Sequence, residues 1–461
     1  MRRKFRSCDI VLRNTRNILC FFAILSVLFI YRTRKIHSDR IRSKLSKNAI
    51  KFIDFQELNY ESLQIDTLKK VIFKYNQEER ILNADVYEAM KDDAPIFVIF
   101  TDKYKANLKY LIASLEHVLG IADALIIFSH SYFDENVNSL IKSIDFTRVM
   151  QIFYPYSIQA FPQEFPGHQS GDCTRFTGID NARSINCTGA NTPDIHGRYR
   201  DPILSQTKHF WWWTLNTVFE KLSHTKNHKG MYIFIDDDVF LLEDSIYMTL
   251  QMKKISKLVS QCDIVSLMRP GHPNFSETRT YGADLSTWDP KQHSSVIAFD
   301  LQVWNSIAAH YFLFCTVDDY SWSRSLFHVS MNRRDGSRFK VISSTVPRAY
   351  QTSKVSSFSK QIEEYSIMNS IYEVLEMQKR NQETFFPSQL EVYLNIELEY
   401  DEFEIFDYTE SNGGWADIRD KQMCTNITAN KVKKLLLDMN GEFNHYKNDD
   451  DVPEMDEDRS I

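Results

Sequence analysis

APIFVIF (94–100), KYKANLKYLIASLEHVL (103–119) and ALIIFSH (124–130) follow one another with almost nothing between them. The outer two are continuous apolar runs of strand length, and the middle one repeats apolar residues at helical spacing. Strand, helix and strand in so short a span make a βαβ unit, whose strands are parallel and whose crossover is right-handed. MQIFYPYS (150–157), MYIFID (231–236), DIVSL (263–267) and SVIAFD (295–300) predict further strands. The expectation is an α/β fold with a Rossmann-like, mostly parallel sheet, a type that binds ligands beyond the carboxyl ends of its strands.

One of those strand ends is unusual. In MYIFIDDDVFLL (231–242) an apolar run meets three consecutive aspartates and then resumes. Along an extended backbone Asp236 and Asp238 point to one side and Asp237 to the other. Two carboxylates on one side suit a hard divalent cation, which relieves their repulsion. A solvated acidic turn is the other reading of this segment.

The 461 residues, 43% hydrophobic and 13% aromatic, suffice for one large α/β domain or two smaller ones. The net charge of -6 is uneven: Arg2, Arg3, Lys4, Arg6, Arg13 and Arg16 crowd the start, and seven acidic residues from Asp449 to Asp458 crowd the end. ILCFFAILSVLFIY (18–31) carries no charge and is flanked by basic residues on both sides. As a helix it spans roughly 21 Å, short against a ~30 Å hydrocarbon core. A buried helix and a cleavable signal are other readings, but the double basic flank and the lack of a small-residue cleavage site point to an uncleaved signal-anchor. The expected organisation is a cytoplasmic tail (1–17), a transmembrane span (18–31), a stem (32–80), a lumenal domain (81–445) and an acidic disordered tail (446–461). Cys8 and Cys20 fall in or before the span, the other five cysteines are too few for a disulfide scaffold and odd in number, and sequons at Asn186, Asn274 and Asn426 suit a lumenal location.

HGRYRDPILSQTKHFWWWTLNTVFEKL (196–222) adds three tryptophans behind a Gln-Thr-Lys-His block. This segment closely resembles one found in the N-acetylglucosaminyltransferase II family. FYPYSIQAFPQEFPG (153–167), the aspartates at 236–238, CDIVSL (262–267), FCTVDDYSW (314–322), VPRAY (346–350) and NGGWADIRD (412–420) follow in that family's order. The resemblance covers roughly residues 90 to 430. It implies a GT-A type glycosyltransferase in the Golgi membrane, single-pass type II with a lumenal catalytic domain. It also implies UDP-GlcNAc as donor, the α-1,6-arm mannose of an N-glycan as acceptor, inverting β-1,2 transfer and Mn²⁺ as cofactor; no nucleic acid is implied. Asp238 aligns with the metal-binding aspartate, with Asp236 in support. Gln206, Thr207, Lys208, His209 and Phe210 align with a substrate-contacting block, where Lys208 could meet phosphate and His209 donate a hydrogen bond; a helix start, with the tryptophans in the core, is the plainer reading. Cys173 with Cys187 and Cys315 with Cys424 correspond to two disulfides of the family, and Cys262 matches a family cysteine whose partner, two or three residues earlier, is missing here, which implies a free thiol.

The sequence departs from the family where chemistry is done. Ser323 stands where the family has its catalytic aspartate, and a hydroxyl is no general base near neutral pH. Gln351 replaces a metal-ligating histidine, a poorer ligand for Mn²⁺ than imidazole. Thr101, Asp102, Lys103 and Tyr104 replace a nucleotide-holding His-Asn-Arg turn, and Ser131 replaces an aspartate. Asp318 and Asp319 are the remaining candidate bases, though adjacent carboxylates before a tryptophan also cap turns. These changes keep open a catalytically silent homologue that binds glycans or regulates, and a transferase with altered donor or acceptor.

Overall fold

The computed structural model describes residues 62–102, 107–259, 262–268, 281–333, 336–352, 360–394 and 411–428, all within a unit spanning Tyr60–Ile461. The predicted span (18–31), most of the stem, Lys103 and Tyr104, Asn274 and the acidic tail lie outside them. Among the described residues no helix is long and apolar enough to cross a membrane.

Ten strands form one sheet: β1 (Ile81–Leu82), β2 (Ile96–Thr101), β3 (Leu125–His130), β4 (Arg148–Phe153), β5 (Tyr232–Asp236), β7 (Ile264–Ser266), β8 (Gly282–Thr287), β9 (Val296–Phe299), β10 (Lys340–Ser344) and β12 (Glu391–Leu394). Their order is β1-β4-β3-β2-β5-β9-β7-β10-β8-β12, and β6 (Val239–Leu241) pairs separately with β11 (Ala349–Gln351). β4, β3, β2 and β5 are parallel neighbours, as the βαβ pattern predicts. β9 lies antiparallel between β5 and β7, because an apolar run specifies a strand but not its direction. From β2 the chain builds outward to β3 and β4 and then returns to β5 on the other side. The switch point is therefore the crevice beyond the carboxyl ends of β2 and β5.

Both faces of the sheet are covered, which explains why its central strands are apolar without alternation. Ile96 and Val98 of β2 and Tyr232 and Phe234 of β5 face one core, while Phe97, Ile99, Ile233 and Ile235 face the other. Helices Leu108–Leu115 and Ser245–Val259 contribute to the second core. The first holds all seven tryptophans, six of them buried and Trp322 partly so. The helix Pro202–Asn216 begins with Asp201 capping Ile203 N at 2.9 Å and a proline in its first turn, where no backbone donor is missed. Trp211 stacks on Trp322 at 4.4 Å and Trp212 on Phe314 at 4.3 Å, so the tryptophans are core, as the plainer reading holds.

The stem boundary at residue 80 needs correction. Residues Ser62–Glu78 form a helix whose Leu68 and Ile72 pack on Phe153. Asn76 exchanges two hydrogen bonds with the Phe153 backbone, at 2.7 and 2.8 Å. This helix satisfies the edge of β4 and belongs to the folded unit. Both disulfides implied by the resemblance are formed, Cys173–Cys187 and Cys315–Cys424, and Cys262 is a buried free thiol.

Candidate active site

At the switch point β5 ends in Asp236, directly beside Phe100 of β2 in the parallel ladder. The chain then turns through Asp237 and Asp238 into β6. The turn interrupts the extended alternation, yet Asp237 is still drawn away from its neighbours: its Oδ2 accepts from Asp102 N at 3.1 Å. Asp102 in turn accepts from Ser131 Oγ at 2.7 Å, so the ends of β2, β3 and β5 are tied by side chains. β11 brings Gln351 opposite Val239, and Gln351 Nε2 donates to Asp238 Oδ2 at 2.8 Å. Thr352 fixes the same turn, donating from both N and Oγ1 to Asp238 O at 2.7 Å. Asp238, Asp236 and Gln351, called together by sequence reasoning, are thus neighbours.

Burial, with the charge of Asp238 added, pushes the Asp236 carboxyl up to about 8. Asp237 is raised too, chiefly by burial and against the donation from Asp102 N. Carboxylates held this close, without a cation, resist ionisation. Their hard oxygens and mutual repulsion fit a divalent ion. The protein offers few donors, since no group of three His, Cys, Asp or Glu side chains that could hold a metal occurs among the described residues. Such a site suits an ion that keeps water and takes phosphate oxygens as its other ligands.

The block 206–210 lies on the first turns of the tryptophan helix and divides by environment. Thr207 is exposed and Gln206 partly so, with Gln206 Oε1 accepting from Ile158 N at 2.6 Å. Phe210 packs on Phe100 and Tyr154, ring centres 5.7 and 5.8 Å away, and so reaches the end of β2. Lys208 is fully buried, its Nζ donating to Val317 O and Asp319 O at 3.1 and 3.0 Å beneath the Trp415 ring. Burial pushes its ammonium down to about 7, against the attraction of Asp319 and Asp318. His209 Nε2 meets Asp420 Oδ1 at 2.9 Å. The structure therefore corrects two expectations: Lys208 presents no ammonium to a phosphate, and the hydrogen bond of His209 is spent inside the core.

Asp318 and Asp319 hold a turn together. Asp319 is 1% exposed and accepts from Ser321 N, Asn412 N, Asn412 Nδ2 and Ser411 Oγ at 2.7 to 3.3 Å. A carboxylate has about four acceptor positions, so those of Asp319 are filled by the turn it holds. Asp318 is partly exposed and, among the described residues, accepts two backbone donors, Ile195 N at 2.9 Å and Trp415 N at 2.8 Å. Ser323 is buried, with its Oγ 3.0 Å from Ser321 Oγ.

A family description of N-acetylglucosaminyltransferase II (MGAT2) matches residues 69–424, from the β4-packing helix to the last disulfide cysteine. The chain belongs to this family. The rat (Rattus norvegicus) alpha-1,6-mannosyl-glycoprotein 2-beta-N-acetylglucosaminyltransferase is 30% identical over 391 residues, 81% of each chain. The human (Homo sapiens) protein of that name is 28% identical over 374 residues, 77% of this chain and 78% of its own. The Arabidopsis thaliana one is 29% identical over 246 residues, 53% of this chain.

This N-acetylglucosaminyltransferase II family member also contains residues to which sequence reasoning gave no role. Asp420 is buried and accepts from Arg200 Nε at 2.7 Å, Ser205 Oγ at 3.1 Å and His209 Nε2. Burial alone would raise its carboxyl, but the His209 hydrogen bond and the Arg200 charge prevail and hold it at about 2. Gly413 has φ +65°, and a Cβ there would lie 2.5 Å from Asp194 Oδ2, so only glycine lets the 411–415 loop close over Asp319. The visible signal was the NGGWADIRD string itself, whose partners include Asp319, 93 residues before Asn412, and His209, 211 residues before Asp420.

Proposed function

We propose that this chain transfers GlcNAc from UDP-GlcNAc in β-1,2 linkage to the α-1,6-arm mannose of N-glycans, as an inverting, Mn²⁺-dependent GT-A enzyme held in the Golgi membrane by its N-terminal anchor. Membership of the family across residues 69–424 supports transfer over the glycan-binding alternative. The observation that carries the chemistry is the placement of Asp236 and Asp238 at the switch point, beside Gln351. Asp238, with Asp236, would hold the cation, which supplies charge neutralisation at the departing diphosphate. Thr352 and β11 keep Asp238 in place, and Asp102 N keeps Asp237 out of its way. Thr207 and Gln206 are the members of their block accessible to substrate, while Lys208 and His209 hold the floor beneath them.

The attacking mannose hydroxyl must lose a proton. With Ser323 at the expected position and Asp319 filled, Asp318 is the carboxylate with accessible acceptor capacity, and we assign it the proton. Asp318→Asn lowers kcat by about 10²–10⁴ with KM changed little, and the loss is read from initial rates against pH. The activity itself is tested by incubating the full chain with UDP-GlcNAc, Mn²⁺ and a mannose-terminated N-glycan, and following product by mass spectrometry. One added N-acetylhexosamine on the α-1,6 arm, released by a β-specific hexosaminidase, is the expected result. An unmodified acceptor alongside intact donor would overturn the reading.

A further inference from the structure

The amino-terminal edge of the sheet, opposite the acidic turn, holds a cavity of about 420 Å³. It is walled by the loops before β2 and β5 and by the first residue of β4. We propose that it is a second binding site, for a small ligand carrying a phosphate or sulfate group.

Charge is the first reason. The lining includes Lys91, Arg148, Lys226 and Lys229 against Glu88 and Asp92. Lys229 lies 3.9 Å from Asp92, whereas Lys91 and Lys226 have no ion pair among the described residues. Arg148 adds to that charge from the wall, its donors held by the protein, so that Lys91 and Lys226 are the side chains left to meet a ligand. The arginine is 5% exposed, and its guanidinium lies 5.7 Å from the Tyr87 ring and donates to three carbonyl oxygens, those of Ala122, Ala124 and Glu88, with no carboxylate partner among the described residues. A buried charge without a counter-ion is costly, and here that charge lines a cavity already ringed by lysines. Arg and Lys are the side chains that pair best with phosphate-like oxyanions.

The cavity is built before any ligand arrives. His228 Nε2 bonds Ala94 O at 2.7 Å and Lys229 N donates to Asp92 O at 2.9 Å, so the two loops are joined. Gly230 allows their close approach, since a Cβ there would lie 2.4 Å from Ala94 O. The volume is of the size that holds sugar-sized or larger ligands elsewhere. From Lys229 to Asp236 the strand runs about 23 Å, so the cavity is separate from the acidic turn and its occupant can be studied without touching the catalytic residues.

The test uses the full chain in calorimetric titration and thermal melting with inorganic phosphate, inorganic sulfate and glucose 6-phosphate, at constant ionic strength. Lys91→Glu/Lys226→Glu changes exposed residues and leaves the fold intact; Asp238→Ala is the control for the acidic turn. The proposal expects saturable binding and a rise in Tm that survive Asp238→Ala and weaken at least tenfold in the double variant. Tighter binding of glucose 6-phosphate than of the inorganic ions would mark a sugar phosphate as the natural class, and preference for sulfate a sulfated one. No saturable binding, or binding lost in Asp238→Ala but kept in the double variant, overturns it.

Discussion

Lys208 shows how residue identity and residue role come apart. A lysine next to a histidine in a conspicuous block invites a phosphate-binding reading, but its Nζ is enclosed between two carbonyls and an indole. Lys208→Met is therefore expected to cost stability, about 1–3 kcal/mol from the two buried carbonyls left unpaired, while UDP affinity stays within a factor of two. A tenfold loss of affinity at unchanged stability would return Lys208 to the substrate. Asp420 makes a second residue-level prediction. Its carboxyl is held at about 2 in the folded chain against ~3.9 when unfolded. Its contribution is therefore complete above about pH 4, is lost as pH falls toward 2, and amounts to about 2–3 kcal/mol. Urea midpoints of the wild type should fall through that window, and those of Asp420→Asn should start lower and fall less. Neither role is visible in the sequence, because both depend on partners that meet only after folding.

Elements were more legible than residues. The βαβ pattern around 94–130 yields β2, β3 and their parallel register, since buried parallel strands must be apolar throughout. Short edge elements were not legible: β1, β6 and β11 have two or three residues each, too few to show a period. The helix Ser62–Glu78 falls in the predicted stem because residues 32–80 read as charged and weakly periodic, although Leu68, Ile72 and Tyr75 make a narrow apolar stripe that docks on β4. At this scale the two disulfides differ in weight. Cys315–Cys424 spans 109 residues and secures the helix Ile418–Thr428 beneath the tryptophans, whereas Cys173–Cys187 spans 14. Loop-closure entropy gives about 4–5 kcal/mol for the first and about 3 kcal/mol for the second. Calorimetric Tm should fall further in Cys315→Ser/Cys424→Ser than in Cys173→Ser/Cys187→Ser; the reverse order would contradict the assignment.

Across the whole molecule the acidic turn lies beyond the carboxyl ends of β2 and β5 and the lysine-lined cavity before their amino ends, and the central claim concerns the acidic turn. Three adjacent aspartates at a strand end are unfavourable alone: burial raises Asp236 and Asp237, and neighbouring charge adds to it. Sequence reasoning placed Asp236 and Asp238 together by alternation at a strand end, and the family resemblance placed Gln351 with them at the position of a metal-ligating histidine. It could not foresee that Asp102 and Ser131 bond to each other, nor that Asp319 is consumed by the 411–415 loop, since those contacts join distant segments. The account holds that the acidic turn is made tolerable by a cation and a nucleoside diphosphate bound together. Calorimetric titration of UDP into the full chain, with and without Mn²⁺ and repeated on Asp238→Ala, tests this most directly. The account predicts saturable UDP binding that requires Mn²⁺ and is lost in the variant. UDP binding that ignores both Mn²⁺ and Asp238, or no binding in the wild type, would contradict it.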